Sequence, residues 1–447
     1  MTTTAEPSTA TLIAQLSAFL GEDYCIPWQS VEPDKQRQIA KATVGSPICL
    51  ALPGTVDELS QVMALAAQRS WRVLQMGQAS KLGWGGLAKE TDIALSTARL
   101  NRIVDHAIGD FTVTVESGTR LADLAAVLAK EGQFLAVDPA FADTATVGGI
   151  VATADTGALR QRYGGLRDML IGVQFVRYDG QLAKAGGRVV KNVAGYDLMK
   201  LMTGSYGTLG ILSELTFRLY PVQAVSRTIV LDGTVAAVAN AAAEIRLSGL
   251  TPVAFDIVLA ESANREHPVN LVARFQGIAA GVEEQSERLE AIATKHQLAV
   301  QQLDRSADAG YWQQAASWVR PNTILCKVGM KPSAITPLLE QLLSDSRQPG
   351  QAAAFGTQAR LQGSSGLGWV QWEASADPTE SVAQIELARS HCQQNGGFLS
   401  LLQAPAAIKK SVDVWGYTGN ALQVMIDIKQ KFDPQTLLSP GRFVGGI

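Results

Sequence analysis

Glycine is spread unevenly along this chain, and the stretch from Pro139 to Pro221 carries glycine pairs at Gly148-Gly149, Gly164-Gly165 and Gly186-Gly187. Glycine loses more backbone freedom on folding than any other residue, so such crowding requires tight turns or a backbone that closely approaches a bulky ligand. The same character begins earlier, in Gly77-Gln78-Ala79-Ser80-Lys81-Leu82-Gly83-Trp84-Gly85-Gly86, directly after the strand-like run Trp71 to Met76. A strand that runs into a small-residue loop is where α/β sheets commonly present ligands. The segment before it, Thr55 to Ser70, repeats apolar residues at Val56, Leu59, Val62, Met63, Ala66 and Ala67, a helical spacing. A second unit follows the same logic: the strand Thr112 to Glu116, the turn Ser117-Gly118-Thr119, and a helix from Leu121 to Lys130 closed by Gly132.

The chain has 447 residues, too many for one ordinary hydrophobic core, so two or three domains are expected. With 47% hydrophobic and 18% charged residues it reads as globular rather than disordered. A net charge of −3 without a dense basic run argues against nucleic acid as a partner. Cys25, Cys49, Cys326 and Cys392 are far apart and form no C-x-x-C pair, so cluster or structural zinc ligands are not expected, and no metal site is assigned. The start, Met1-Thr2-Thr3-Thr4-Ala5-Glu6, is not a secretory signal, and no apolar run is long enough to span a membrane. These features predict a cytoplasmic protein, with peripheral association at the inner membrane through partners left open.

After Pro221 the pattern changes. Strand-like stretches at Arg227–Leu231, Val253–Leu259, Leu271–Phe275, Thr323–Val328, Trp369–Glu373 and Phe398–Leu402 alternate with helical ones at Val235–Leu247, Val282–His296, Ala334–Ser344 and Thr379–Gln394. Gln348-Pro349-Gly350-Gln351 and Gly363-Ser364-Ser365-Gly366 read as exposed loops, and the tail helix from Ala421 to Lys431 stops at Asp433-Pro434. The expected division is a helical lead-in (1–50), a ligand-binding domain (51–222), an α+β cap (223–415), and a helix and tail (416–447) that return to the ligand-binding domain.

A dinucleotide brings a pyrophosphate, which needs a concave run of backbone N–H donors with no side chains in the way. The Gly77–Gly86 loop offers that, yet it is neither a G-x-G-x-x-G turn nor a phosphate-binding loop ending in G-K-[ST]. Its order along the chain with Pro53, Val115-Glu116-Ser117-Gly118-Thr119 and Ala145-Thr146-Val147-Gly148-Gly149 resembles the FAD-binding domain of the vanillyl-alcohol oxidase and D-lactate dehydrogenase superfamily. Four further segments are similar to the FAD-binding subunit of glycolate oxidases, the GlcE type: Tyr163 to Asp168, Asp179-Gly180, Gly187 to Asp197, and Gly204 to Ile211. The ending Phe432-Asp433-Pro434 with Ser439-Pro440-Gly441-Arg442 matches more loosely.

The resemblance implies an α+β fold, a two-subdomain PCMH-type FAD-binding domain followed by an α+β cap over the isoalloxazine ring. Gly77, Gln78, Ala79, Ser80, Lys81 and Leu82 would cradle the pyrophosphate, and Thr146, Gly148, Gly149, Thr153 and Gly157 would line the opposite side. Asp138 belongs with these contacts, and the turn through Gly207, with Gly210 and Ile211, would present amides to the flavin's polar edge. Covalently flavinylated relatives carry a histidine in the pyrophosphate loop; here Gln78-Ala79-Ser80 stand instead, which implies non-covalent FAD. His106 reads as a surface residue just before a strand.

Oxidising a 2-hydroxy acid needs a base for the hydroxyl proton and a cation for the carboxylate. The family's catalytic subunit has a histidine-rich cap motif, whereas this cap has only the scattered His267, His296 and His391. His296 and His391 fall on helices, where a solvated face or a helix-terminal charge is the simpler role. Lys327, inside an apolar strand, is a candidate carboxylate partner, although strand alternation favours solvent for it. Lys191 and Tyr196 lie in the most family-like stretch and serve equally well as braces. The resemblance therefore implies a small 2-hydroxy acid substrate, and as partners a catalytic flavoprotein subunit and an iron–sulfur subunit of a glycolate dehydrogenase complex. A self-sufficient FAD oxidase and a non-catalytic flavoprotein subunit remain the alternatives.

Overall fold

The computed structural model describes residues 9–188, 195–259, 269–345 and 357–447. Its first sheet orders the strands Cys25–Pro27, Cys49–Ala51, Ile93–Ser96 and Val73–Met76, the last three parallel. The helix Val56–Arg69 packs on it. Thr55 caps that helix by accepting from Glu58 N at 3.1 Å, and its buried stripe is Leu59, Val62, Met63 and Ala66. These side chains recur at three- and four-residue spacing on one face, the pattern that builds the small core shared with Leu12 and Leu16 of the helix Thr9–Leu20.

A second, antiparallel sheet orders Leu182–Gly186, Leu170–Val176, Ile211–Arg218, Thr112–Glu116 and Ile103–Ala107. The helices Leu121–Lys130 and Val147–Thr153 contribute to its core. His106 sits inside the edge strand rather than before it, half-buried, with its ring nitrogen 2.9 Å from Gln133 Oε1.

The third sheet has eight antiparallel strands between Val225 and Gln403, and alternation splits its two faces by chemistry. Ile324, Cys326, Val328, Ala359, Leu361, Val370, Leu399 and Leu401 point to one side and join an apolar core with the helices Val235–Leu247, Ala279–Lys295, Ile335–Asp345 and Pro378–Gln394. The residues between them point to the first two sheets, and Gln362 on this face donates to Gly157 C=O at 2.9 Å. Three elements carry no clear periodicity in the sequence: the strands Ala299–Asp304 and Gln358–Gln362 and the helix Arg305–Ala316. Of the two segments expected to be exposed loops, Gly363 to Gly366 form a turn with Ser364 and Ser365 exposed and the two glycines buried, and Gln348 to Gln351 lie outside the described residues.

The helix Leu422–Phe432 returns to the first sheet, where Val73 N donates to Leu437 C=O and Ser439 N to Val73 C=O. Its anchor is Asp433, 1% exposed, whose carboxylate accepts from Lys429 Nζ at 2.6 Å and from the amides of Leu437 and Leu438 at 3.0 and 2.8 Å. Lys429 also donates to Thr208 C=O and Leu438 C=O. Asp433→Ala strands a buried ammonium and two amides, so we expect a loss of about 3–5 kcal/mol in unfolding free energy by denaturant titration.

Candidate functional site

The Gly77–Gly86 loop is held by its carbonyls. Arg442 donates to Leu82 C=O at 2.9 Å and Trp84 C=O at 2.7 Å, and to Ala42 C=O at 3.2 Å. Lys409 Nζ donates to Gly83 C=O at 2.5 Å, Gly85 C=O at 2.7 Å and Leu402 C=O at 3.2 Å. Both cations are buried, and desolvation, followed by repulsion from Arg442, pushes Lys409 down to about 7. Neither residue carries a sequence signal for this role; Arg442 stands only within the family-like ending.

With the carbonyls tied back, the N–H groups of Gly77, Gln78, Ala79, Ser80 and Lys81 donate to no protein acceptor among the described residues. They line a cavity of about 730 Å³, counting its open mouth. Across it lie Thr146, Gly148, Gly149 and Thr153, and at its end Ser205, Tyr206, Gly207, Gly210, Ile211 and Leu212. Thr146 caps the helix Val147–Thr153 by accepting from Gly149 N at 3.3 Å. The two walls are in near contact at Gly77, where a Cβ would meet Thr146 Oγ1 at 2.1 Å. Ser117, also lining the cavity, has a buried hydroxyl without a partner. Free amides, an orphaned hydroxyl and a cradle that a single Cβ would close are what a bound pyrophosphate-containing cofactor requires.

Twelve of the fourteen expected cofactor contacts line this cavity. Asp138 and Gly157 do not; they meet each other at a second cavity of about 400 Å³ between the loops around Asp138 and Asp155 and the eight-stranded sheet. Asp138 accepts from Ala158 N and Leu159 N at 2.8 and 3.0 Å, and burial pushes its carboxyl up to about 7 against those hydrogen bonds. Its neighbours in charge are Arg360, which lowers it, and Asp256, which raises it. Arg360 donates from Nε to Asp256 Oδ2 at 2.6 Å and lies over Trp312, 4.9 Å from the ring centre. Trp318, Val319 and Trp369 complete the apolar wall.

The ion pair Lys81–Asp155, at 3.0 Å and almost wholly buried, stands between the two cavities: Lys81 lines the first and Asp155 the second. Asp155 also accepts from Ala140 N at 2.9 Å. It lies between Thr153 and Gly157 in the sequence and carries no signal of its own there. Lys327, half-buried, lines neither cavity and feels this pair only through the charge of Asp155. Burial lowers its pKa, with attraction from Asp155 and repulsion from Arg160 as the lesser influences. The strand alternation holds, but this part of the second face meets the loops around Asp138 to Ala158.

His296 ion-pairs with Glu244 at 2.7 Å, and His391 approaches Ala334 C=O at 3.2 Å; neither lines either of these two cavities. Tyr196 is 91% exposed. His267 and Lys191 lie outside the described residues, as do Val189 to Ala194 of the family-like stretch.

Residues 47–186 match the family model described as an FAD binding domain. This protein binds FAD. The fold is the PCMH-type α+β arrangement, as solved structures also indicate. An alkyldihydroxyacetonephosphate synthase superposes with a TM-score of 0.75 at 17% identity, over 97% of this chain and 86% of that one. A p-cresol methylhydroxylase gives 0.73 at 14% identity, over 97% and 96%. By sequence the chain is similar to FAD-linked hydroxy-acid dehydrogenases and oxidases. A D-2-hydroxyglutarate dehydrogenase of Xanthomonas citri pv. viticola is 28% identical over 89% of both chains. The glycolate oxidase subunit GlcD of Bacillus subtilis is 24% identical over 89% of this chain and 88% of that one. The glycolate oxidase subunit GlcE of Escherichia coli is 39% identical, but over 27% of this chain and 34% of its own length.

Two outcomes test the two cavities. Gly77→Val should purify with little or no FAD, read from the visible absorbance, because its side chain collides with Thr146. Asp138 has a raised folded pKa, so its stabilising neutral form is fully present below the ordinary carboxylate range and is lost as pH rises through about 7. Asp138→Asn should flatten the fall in stability between about pH 4 and 7, measured by thermal unfolding across that range.

Proposed function

We propose that the first cavity holds the FAD and that the chain is an FAD-dependent oxidoreductase of small 2-hydroxy acids, of the glycolate, D-lactate and D-2-hydroxyglutarate group. The observation that carries this reading is the adjacency of the two cavities: an amide-lined cradle on one side of the Lys81–Asp155 pair, and a cavity holding a buried acid and a buried cation on the other. Gly77 to Leu82 supply amides to the pyrophosphate, and Thr146, Gly148, Gly149, Thr153, Gly210 and Ile211 close around the rest of the cofactor. Lining side chains capable of a covalent flavin bond are confined to Tyr206 among the described residues, and its ring is packed against Trp415, so the FAD is held non-covalently.

When bound, FAD accepts the two electrons of an alcohol oxidation. In the second cavity, Asp138 sits in the neutral range where a carboxylate takes up a hydroxyl proton effectively, and Arg360 offers positive charge to a carboxylate. Trp318, Val319 and Trp369 limit water around the reacting carbon. Two relatives carry the names of glycolate oxidase subunits, which supports a place in a multi-subunit assembly beside a catalytic flavoprotein and an iron–sulfur subunit. The acid and cation lining the second cavity favour this chain's taking part in the chemistry itself, over a scaffold role.

The test is the visible spectrum of the purified protein before and after anaerobic addition of glycolate, D-lactate and D-2-hydroxyglutarate. Bleaching of the flavin bands by at least one of them is expected. A flavin that stays oxidised with all three, and also with the partner subunits added, would overturn the reading.

A further inference from the structure

The carboxylate of Asp155, 2% exposed, is used by the fold on one side only. Its Oδ2 takes both partners that the chain supplies, Lys81 Nζ at 3.0 Å and the amide of Ala140 at 2.9 Å. Its Oδ1 is buried without a hydrogen-bond partner, although the residue lines the second cavity. Burying a carboxylate oxygen without a donor is costly, and the pairing with Lys81 does not require it. Asp138, the other acid of this cavity, differs: its Oδ2 accepts from Ala158 N and its Oδ1 from Leu159 N. Asp256 also keeps one oxygen without a partner, but it does not line the cavity.

A donor in the same condition lines the same cavity. Arg360 braces Asp256 through Nε and lies over Trp312, yet its Nη2 is buried without a partner. The two groups come from opposite walls: Asp155 from a loop of the FAD-binding domain, Arg360 from the strand Gln358–Gln362 of the cap sheet. An unpaired acceptor and an unpaired donor, with apolar side chains such as Val319 and Trp369 around them, suit a ligand that donates at one end and accepts at the other. A 2-hydroxy acid does both, through a hydroxyl and a carboxylate on adjacent carbons. Because Asp155 is paired with Lys81, which lines the first cavity, the hydroxyl end lies on the cofactor's side.

We propose that Asp155 Oδ1 accepts the hydrogen bond of the substrate's 2-hydroxyl while Arg360 Nη2 holds its carboxylate, so that Asp155 is the residue that tells a 2-hydroxy acid from its deoxy counterpart. The inference rests on the oxidation of 2-hydroxy acids argued above and adds to it the group that orients the hydroxyl. An acid without the hydroxyl still reaches Arg360 but leaves Oδ1 unpaired, and that penalty sets the discrimination. Asp138, with an amide on each oxygen, does not orient the hydroxyl; its part is confined to the proton that oxidation releases.

The experiment measures binding with turnover blocked. The FAD-loaded protein is reduced anaerobically with dithionite, and two pairs that differ by the hydroxyl alone, glycolate with acetate and D-lactate with propionate, are titrated into it by calorimetry. In at least one pair the hydroxy acid should bind at least ~10-fold more tightly. Asp155→Asn keeps an oxygen for Lys81 and Ala140 N and puts an N–H donor in place of Oδ1. It should erase that preference without weakening the deoxy acids, since it removes a negative charge. Asp138→Asn should keep the preference, and Arg360→Lys should weaken both members of each pair. Equal affinities within both pairs of the unaltered protein, the absence of all binding included, would refute the proposal, and this holds even if Asp155→Asn fails to fold. A preference that survives Asp155→Asn, or that is lost in Asp138→Asn instead, would refute it as well. The two readings fail separately. If a 2-hydroxy acid bleaches the flavin but the preference does not depend on Asp155, the oxidation stands without this contact. If none bleaches it while hydroxy acids bind in an Asp155-dependent way, the oxidation falls and the hydroxyl site stands.

Discussion

The clamp on the carbonyls of the glycine-rich loop is the interaction on which the cofactor cavity depends. A loop of small residues has many conformations of similar energy, and a row of free amides is not a stable state by itself. Arg442 and Lys409, reaching in from distant parts of the chain, capture the carbonyls of Leu82 to Gly85. The preceding amides are left toward the cavity, preorganised for an anion before any ligand arrives. The cost is two buried cations without a carboxylate partner among these contacts, satisfied instead by carbonyl oxygens. Because Arg442 follows the last helix and Lys409 follows the last cap strand, the cradle takes shape only when the tail and the cap have docked.

The cap sheet answers a second constraint. An antiparallel sheet usually covers one face and leaves the other to water, with apolar and polar residues alternating along each strand. Here the apolar face is packed under helices, and the face bearing Arg360, Trp369 and Gln362 is pressed against the FAD-binding domain. Arg360 and Trp369, at positions that alternation would assign to solvent, thus line the second cavity. Burial is what raises the carboxyl of Asp138 and lowers the ammonium of Lys327. The same side chains in water would have no such tuning.

Regular elements with a single clear periodicity are legible from the amino acids: Val235–Leu247, Thr112–Glu116 and Leu121–Lys130 have the limits their spacing predicts. Arg305–Ala316 is not, because its helix is mostly exposed and buries only Asp308, against Arg274, in place of an apolar stripe. The strand Gln358–Gln362 is hidden for a similar reason, since three of its five residues are polar and face the domain boundary. Among site residues, those in the loop and opposite helix are recoverable because small residues in a fixed order leave a mark. Asp155 and Lys409 leave none: an isolated charge looks the same whether it meets water or another domain.

What the amino acids determined alone is the local chemistry: where glycine lets the backbone turn, which faces are apolar, and where small residues leave the backbone open in the loop that starts at Gly77. Tertiary structure decided which charges are removed from water. Desolvation is a property of neighbours brought from far along the chain, and no periodicity encodes it. It moved Asp138 and Gly157 to the second cavity and set Arg360 there with Asp155, from a strand and a loop that share no motif.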